Sequence, residues 1–184
     1  MTVEEGLQEA VEADMWAWLR EFVSVPNEFY DFEYAPCPYA RGALRADTVD
    51  VVAWRDGDVR GFIREMAVDM RDRPRLTTRV MAFPPRTRFT WGLVEFVESL
   101  NAELMATNVF LNTGSAKTTR SRYPGSDEPY FIVVANSLDA VLRGSEALQR
   151  SDYYENWPPE HYDIVVRRRA RLAARYAEGK QAGG

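Results

Sequence analysis

The stretch with the most chemical potential is Ala35-Pro36-Cys37-Pro38-Tyr39-Ala40-Arg41-Gly42-Ala43. Each proline fixes its own φ and restricts the residue before it, so a thiol between two prolines sits on a stiff backbone. Such a thiol can be presented to a guest at low entropic cost. As a thiolate it is a nucleophile or a metal ligand, and a cation such as Arg41 lowers its pKa. Cys37, Tyr39 and Arg41 are therefore the catalytic candidates. The competing reading is structural, because a free cysteine mostly behaves as a small buried hydrophobe. Cys37 is the only cysteine, which excludes an internal disulfide and a cysteine-rich zinc site.

His161, in Trp157-Pro158-Pro159-Glu160-His161-Tyr162, is the only histidine. One imidazole cannot supply a two-histidine iron triad, though it can ligate haem iron. With a haem present, Cys37 and His161 are the two ordinary protein ligands and any of the nine tyrosines a third type. Without one, His161 reads as a half-exposed residue near a helix start. The polar stretch 112–128 ends its first half in Thr113-Gly114-Ser115-Ala116-Lys117. A phosphate loop requires glycine before the lysine, and Ala116 stands there, so nucleotide hydrolysis is excluded. A polar loop of this length serves as a lid or a binding loop, or is simply solvated. In the first case Lys117, Arg120 and Arg122 hold a carboxylate by charge-assisted hydrogen bonds. The run Arg167-Arg168-Arg169, with Arg171 and Arg175, reads as a solvated face late in a helix, where positive charge complements the dipole. No Ser-His-Asp arrangement and no acid–base carboxylate pair can be nominated.

The elements that position these residues follow from periodicity. Leu7, Val11, Met15, Trp18 and Phe22 lie on one face of an amphipathic helix that Pro26 ends. Residues 29–42 have no clean period and read as an ordered loop. A strand over 47–55 stops at Asp56-Gly57, and Val59, Phe62, Ile63, Met66 and Met70 form a second helix closed by Pro74. A second strand covers 76–83. Thr90 caps a third helix carrying Leu93, Val97, Leu100 and Leu104. A third strand begins at 109–111, and Phe131-Ile132-Val133-Val134 has the continuous apolar text of a strand covered on both faces. A helix over 138–150, an aromatic connector and a last helix over about 160–177 complete the chain. The two crossover helices predict parallel strand pairs, and the last two strands, joined without a helix, predict an antiparallel one. The expectation is a single α/β domain over 1–184 of mixed α+β type: an N-terminal helix over 1–25, a core over 30–150 with one mixed sheet of about four strands, and a connector and helix over 151–184.

Aromatic residues crowd both connectors, with Phe29, Tyr30, Phe32, Tyr34 and Tyr39 in the first and Tyr153, Tyr154, Trp157 and Tyr162 in the second. They either wall a flat apolar ligand, or pin the loops and meet a second subunit in a homodimer.

Cys37-Pro38-Tyr39-Ala40-Arg41-Gly42-Ala43, followed by Leu44 and Val49-Asp50-Val51-Val52, resembles the opening of the YqcI/YcgG family. It is similar as well to a smaller uncharacterised bacterial family with a Cys-Pro-Phe-Ala motif. Pro129-Tyr130-Phe131-Ile132-Val133-Val134-Ala135-Asn136-Ser137 resembles the aromatic-strand-Asn segment of the YqcI/YcgG family. The likeness spans roughly residues 30–150. It implies a haem-dependent oxygenase that hydroxylates a nitrogen of a small amino-acid-like metabolite. Cys37 or His161 would then ligate iron, and Lys117, Arg120, Arg122, Tyr130, Asn136 and Trp157 would contact the cofactor. Where the family would carry a histidine after the Asn segment, this chain has Ser137-Leu138-Asp139-Ala140. That departure favours the alternative, a cofactor-free small-ligand-binding or accessory protein of a biosynthetic pathway.

Composition bounds the rest. The 184 residues are 46% hydrophobic and 28% charged, enough for a real core. The net charge of −5 argues against a nucleic-acid partner. No apolar run approaches the roughly 18 residues of a membrane span. The acidic opening, Met1 to Glu12, is unlike a secretory signal, which leads us to expect a cytoplasmic protein with a small-molecule substrate.

Overall fold

The computed structural model describes residues 3–28, 32–85, 92–117, 128–155, 157–171 and 174. It is an α+β fold built on one four-stranded mixed sheet. Helix α1 (Val3–Trp18) runs into a π-helical turn, Leu19–Val23. A short helix α2 (Ala40–Arg45) precedes β1 (Val49–Ala53), so the expected loop over 29–42 turns helical at its end. Next come α3 (Val59–Arg71), β2 (Thr78–Phe83), α4 (Leu93–Leu104), β3 (Val109–Ala116), β4 (Tyr130–Ser137) and α5 (Leu138–Gln149). Helix α6 (Pro159–Tyr162) continues through a second π-helical turn, Asp163–Arg167.

The strand order is β1-β2-β4-β3. β1 and β2 are parallel neighbours, as the α3 crossover requires. β3 and β4 pair antiparallel, as their short connection predicts. The expected β2–β3 parallel pair does not form, because β4 inserts between them and pairs antiparallel with both. β3 also runs to Ala116, five residues past Leu111, so the text Asn112 to Ala116 is strand rather than loop. The alternation period of two explains the misreading. Asn112 and Gly114 point one way while Thr113 and Ser115 point the other, and only the small Ala116 at the strand's end marks the buried face.

The sheet is covered on both sides. Ile63, Ala67 and Met70 of α3, with Val97, Leu100 and Leu104 of α4, pack against Met81, Phe83, Val133 and Ala135. On the opposite face Val11, Met15 and Leu19 pack against Val51, Ala53, Val80, Ala82, Tyr130 and Ile132. β4 thus buries both of its faces, which is why its text is continuously apolar. Asp58 caps α3 by accepting from the Arg60 N–H, and Ser137 caps α5 by accepting from the Ala140 N–H. Helix α4 instead begins after Gly92, whose φ of 71° suits a residue without a Cβ. Thr90, the expected cap, lies outside the described residues.

β3 is a sheet edge, and its exposed backbone is occupied. Asn101 of α4 donates its amide to the Leu111 carbonyl at 2.9 Å and accepts from the Leu111 N–H at 2.7 Å. One side chain thereby imitates the missing neighbouring strand.

Candidate functional site

On the face that carries α1, the strands change character along their length. Toward one end the inward residues are Ala82, Ile132 and Ala116, sealed under α1. Toward the other they are Thr78, Asn112 and Asn136, and there the sheet floors a cavity of about 470 Å³. Its walls are the end of α1 and its π-turn (Trp18, Leu19, Val23), the segment Pro36 to Ala40, helix α5 (Ala140, Val141, Gly144, Leu148) and the second aromatic connector with α6. The floor is partly polar. Thr78 and Asn136 are cross-strand partners, and the Thr78 hydroxyl donates to Asn136 Oδ1 at 3.1 Å. Asn136 Nδ2 reaches Val134 O only at 3.4 Å, so it retains donor capacity for a guest.

The cysteine segment is held from three directions. The Cys37 N–H donates to Val23 O at 3.0 Å, the Tyr153 hydroxyl donates to Pro36 O at 2.7 Å, and the Tyr39 hydroxyl donates to Gly144 O at 2.9 Å. Each contact joins the segment to a different wall, so the prolines' stiffness is matched by external ties. Tyr153 is itself fixed by edge contacts with Tyr34 and Tyr154 and by Trp157. The second aromatic cluster therefore both pins the connector and borders the cavity. Of the first cluster, Phe29 and Tyr30 lie outside the described residues, and Phe32 is exposed.

Cys37 lines the cavity, and burial pushes its thiol up from its ordinary value. Three weaker influences oppose this: the nearby backbone N–H groups of Tyr39 and Ala40 and the positive charge of Arg169. Arg41, the cation expected to act on the thiol, is exposed on α2 and does not line the cavity. Arg169 fills that role instead, and it corrects the reading of 167–169 as a solvated face. Arg167 and Arg168 do reach outward, to Asp163 and Glu98. Arg169 turns inward, where burial lowers its pKa, and its Nε is buried without a hydrogen-bond partner. Among the described residues, the ionisable groups that act on it are Tyr154, Cys37 and Tyr153, with no carboxylate. The signal for this was present in the spacing: Val165, Val166 and Arg169 fall on one helix face, and the two valines are apolar.

The remaining expected site residues are dispersed. Tyr39, Asn136 and Trp157 line the cavity with Cys37. Tyr130 faces the same side of the sheet but is buried under α1, its hydroxyl donating to Asp14 at 2.5 Å. Lys117 is exposed just past β3, and Arg120 and Arg122 lie outside the described residues. His161 is exposed on α6, its ring tilted against Trp157 at 6.1 Å, and does not border the cavity. A haem needs an axial donor and cations for its propionates. In the cavity the available donors are the Cys37 thiol, which burial holds toward its protonated form, and the tyrosines Tyr39, Tyr153 and Tyr154, with Arg169 as the cation, while His161 and Lys117 stand elsewhere. Among the described residues no three His, Cys, Asp or Glu side chains gather as a metal-holding group. Of the contacts expected for a haem, those of His161 and Lys117 are not made in this cavity.

Both π-helical turns border the cavity, Leu19–Val23 on one wall and Asp163–Arg167 before Arg169 on another. A π-turn widens a helix by one residue and is frequent at functional sites. Among the described residues no helix is long and apolar enough to cross a membrane. No family model, no curated protein and no solved structure matches this chain.

Proposed function

We propose that the protein binds a small metabolite, without a cofactor, in the cavity between the sheet and the cysteine segment. One observation carries this reading: a cavity of about 470 Å³ bordered by apolar side chains with a few polar groups, Arg169, Asn136 and Cys37 among them. Small-molecule sites have this size and this sparse polar lining, the apolar part supplying affinity and the polar part orientation. At about 30 Å³ per water the space equals roughly 15 waters, which sets the scale of the guest. The ties from Val23, Tyr153 and Gly144 hold the wall in place before binding, which reduces the ordering cost that a guest must offset.

The test is native mass spectrometry of gently purified protein, together with an ultraviolet–visible spectrum after addition of haemin. The expected result is release of a small organic molecule on denaturation and no Soret band. A Soret band that weakens in Cys37→Ala would overturn the cofactor-free reading in favour of the oxygenase implied by the family resemblance.

A further inference from the structure

We infer that the cavity accepts a guest bearing one carboxylate, seated on the Arg169 guanidinium. This rests on the reading that the cavity binds a small molecule, and it names the class.

A guanidinium carries five N–H donors and is always charged, so a buried one needs acceptors and compensating charge. Arg79, the fully buried arginine among the described residues, obeys that rule. Arg79 donates to Asp50 at 2.9 Å, to Asp69 at 2.7 Å and to the Met66 carbonyl at 2.9 Å. Arg169, half-buried in the cavity lining, departs from it: no ion pair joins it to a carboxylate among the described residues, and its Nε is enclosed without a hydrogen-bond partner. An unpaired buried cation is costly to keep unless its partner arrives from outside. A guanidinium presents parallel N–H groups, the fork that grips a carboxylate in two-point fashion. The charge balance selects a monoanion. One guanidinium, the only formal charge among the lining residues, neutralises a carboxylate, whereas a phosphate dianion would leave an excess charge.

Cys37 borders the same cavity and is the only cysteine, so it reports on Arg169 directly. Iodoacetate and iodoacetamide have nearly the same size and the same reaction: the thiol proton goes to solvent, sulfur bonds to the methylene carbon, and iodide leaves. They differ in that only iodoacetate is a carboxylate. The ratio of their rates at Cys37 is compared in folded protein and in urea, which cancels any change in thiol pKa because both reagents meet the same sulfur. The expected result is an iodoacetate preference in folded protein at least about tenfold above that in urea, the scale of one charge-assisted hydrogen bond. Arg169→Gln should return the ratio to the urea value, and Arg169→Lys should keep part of it. A folded ratio equal to the urea ratio would overturn the carboxylate anchor while leaving an open cavity and the binding function intact. No reaction of either reagent with folded protein would overturn both, since the cavity would then admit no guest. Should Arg169→Gln unfold, the wild-type comparison alone still decides. A second arm measures protection of Cys37 from iodoacetamide by 3-phenylpropionate, by its primary amide and by inorganic phosphate. Protection by the acid alone supports the inference, and equal protection by the amide or stronger protection by phosphate overturns it.

Discussion

The Tyr39 hydroxyl donates a 2.9 Å hydrogen bond to the Gly144 carbonyl, and the Tyr39 ring lies over that glycine so closely that a Cβ there would meet Cε2 at 3.0 Å. The pair locks the cysteine segment onto α5 and closes one wall of the cavity. It also explains a glycine in mid-helix, which otherwise costs about 1 kcal/mol relative to alanine. Gly144→Ala should therefore lose about 1 kcal/mol in urea unfolding, where helix propensity alone predicts a gain. In a Tyr39→Ala background, with the ring gone, the same change should become stabilising. Equal effects in the two backgrounds would show that the ring and the helix are not coupled.

Burial raises the Cys37 thiol, so the folded chain holds that proton more tightly than the unfolded chain. Above the ordinary thiol range, near 9.0, the unfolded state releases a proton that the folded state keeps. Stability from this group is thus complete below that range and is lost as pH rises through the folded value. Cys37→Ser removes the titration. Urea midpoints between pH 7.5 and 10 should fall more steeply in the wild type than in the variant. Tyr39 and Tyr154 are raised as well and add a later decline common to both proteins. Parallel curves would contradict the buried-thiol geometry.

Arg79 is 1% exposed, whereas the side chains of Asp50 and Asp69 that hold it keep about a third of their surface in water, 32% and 37%. The three are therefore not equivalent. Replacing the arginine by methionine leaves two carboxylates that can solvate themselves, and the apolar stem is preserved. Replacing Asp50 by alanine strands part of a buried guanidinium. Asp50→Ala should cost about 3 kcal/mol in chemical denaturation and Arg79→Met clearly less. The reverse order would mean that the ion pair itself, rather than the desolvated cation, dominates.

Asn101→Leu keeps the volume of the α4 side chain but removes the two hydrogen bonds to Leu111. Both backbone groups are then buried without partners, at a cost of about 2–4 kcal/mol for the pair. The uncovered β3 edge should also raise the tendency to self-associate, which light scattering at increasing protein concentration would detect. A stable, monomeric variant would show that water reaches this edge.

The helices were legible wherever an apolar stripe at spacings of three and four faced the sheet, as in α3 and α4, because that pattern has one packing solution. β4 was legible because burial on both faces forces apolar residues at consecutive positions. β3 was half legible: its first three residues are apolar, and the next five are polar or small because they border a cavity and an edge rather than a core. The insertion of β4 between β2 and β3 was not legible, since strand order depends on long-range pairing that no local spacing encodes. Short helix α2 was hidden by the prolines before it and by Gly42 within it.

For the site, residue order alone established that a stiff, proline-flanked thiol exists and that aromatic residues cluster in the second connector. It could not say which cation meets the thiol. Arg41 is near in sequence and points away, while Arg169, 132 positions downstream, is brought to Cys37 by the packing of α6 against the connector. Sequence fixes what each short segment prefers, because dihedral preference and periodicity are local properties. Which distant side chains share one desolvated space is decided only when the sheet and its helices close around it, because burial and charge proximity belong to the assembled fold.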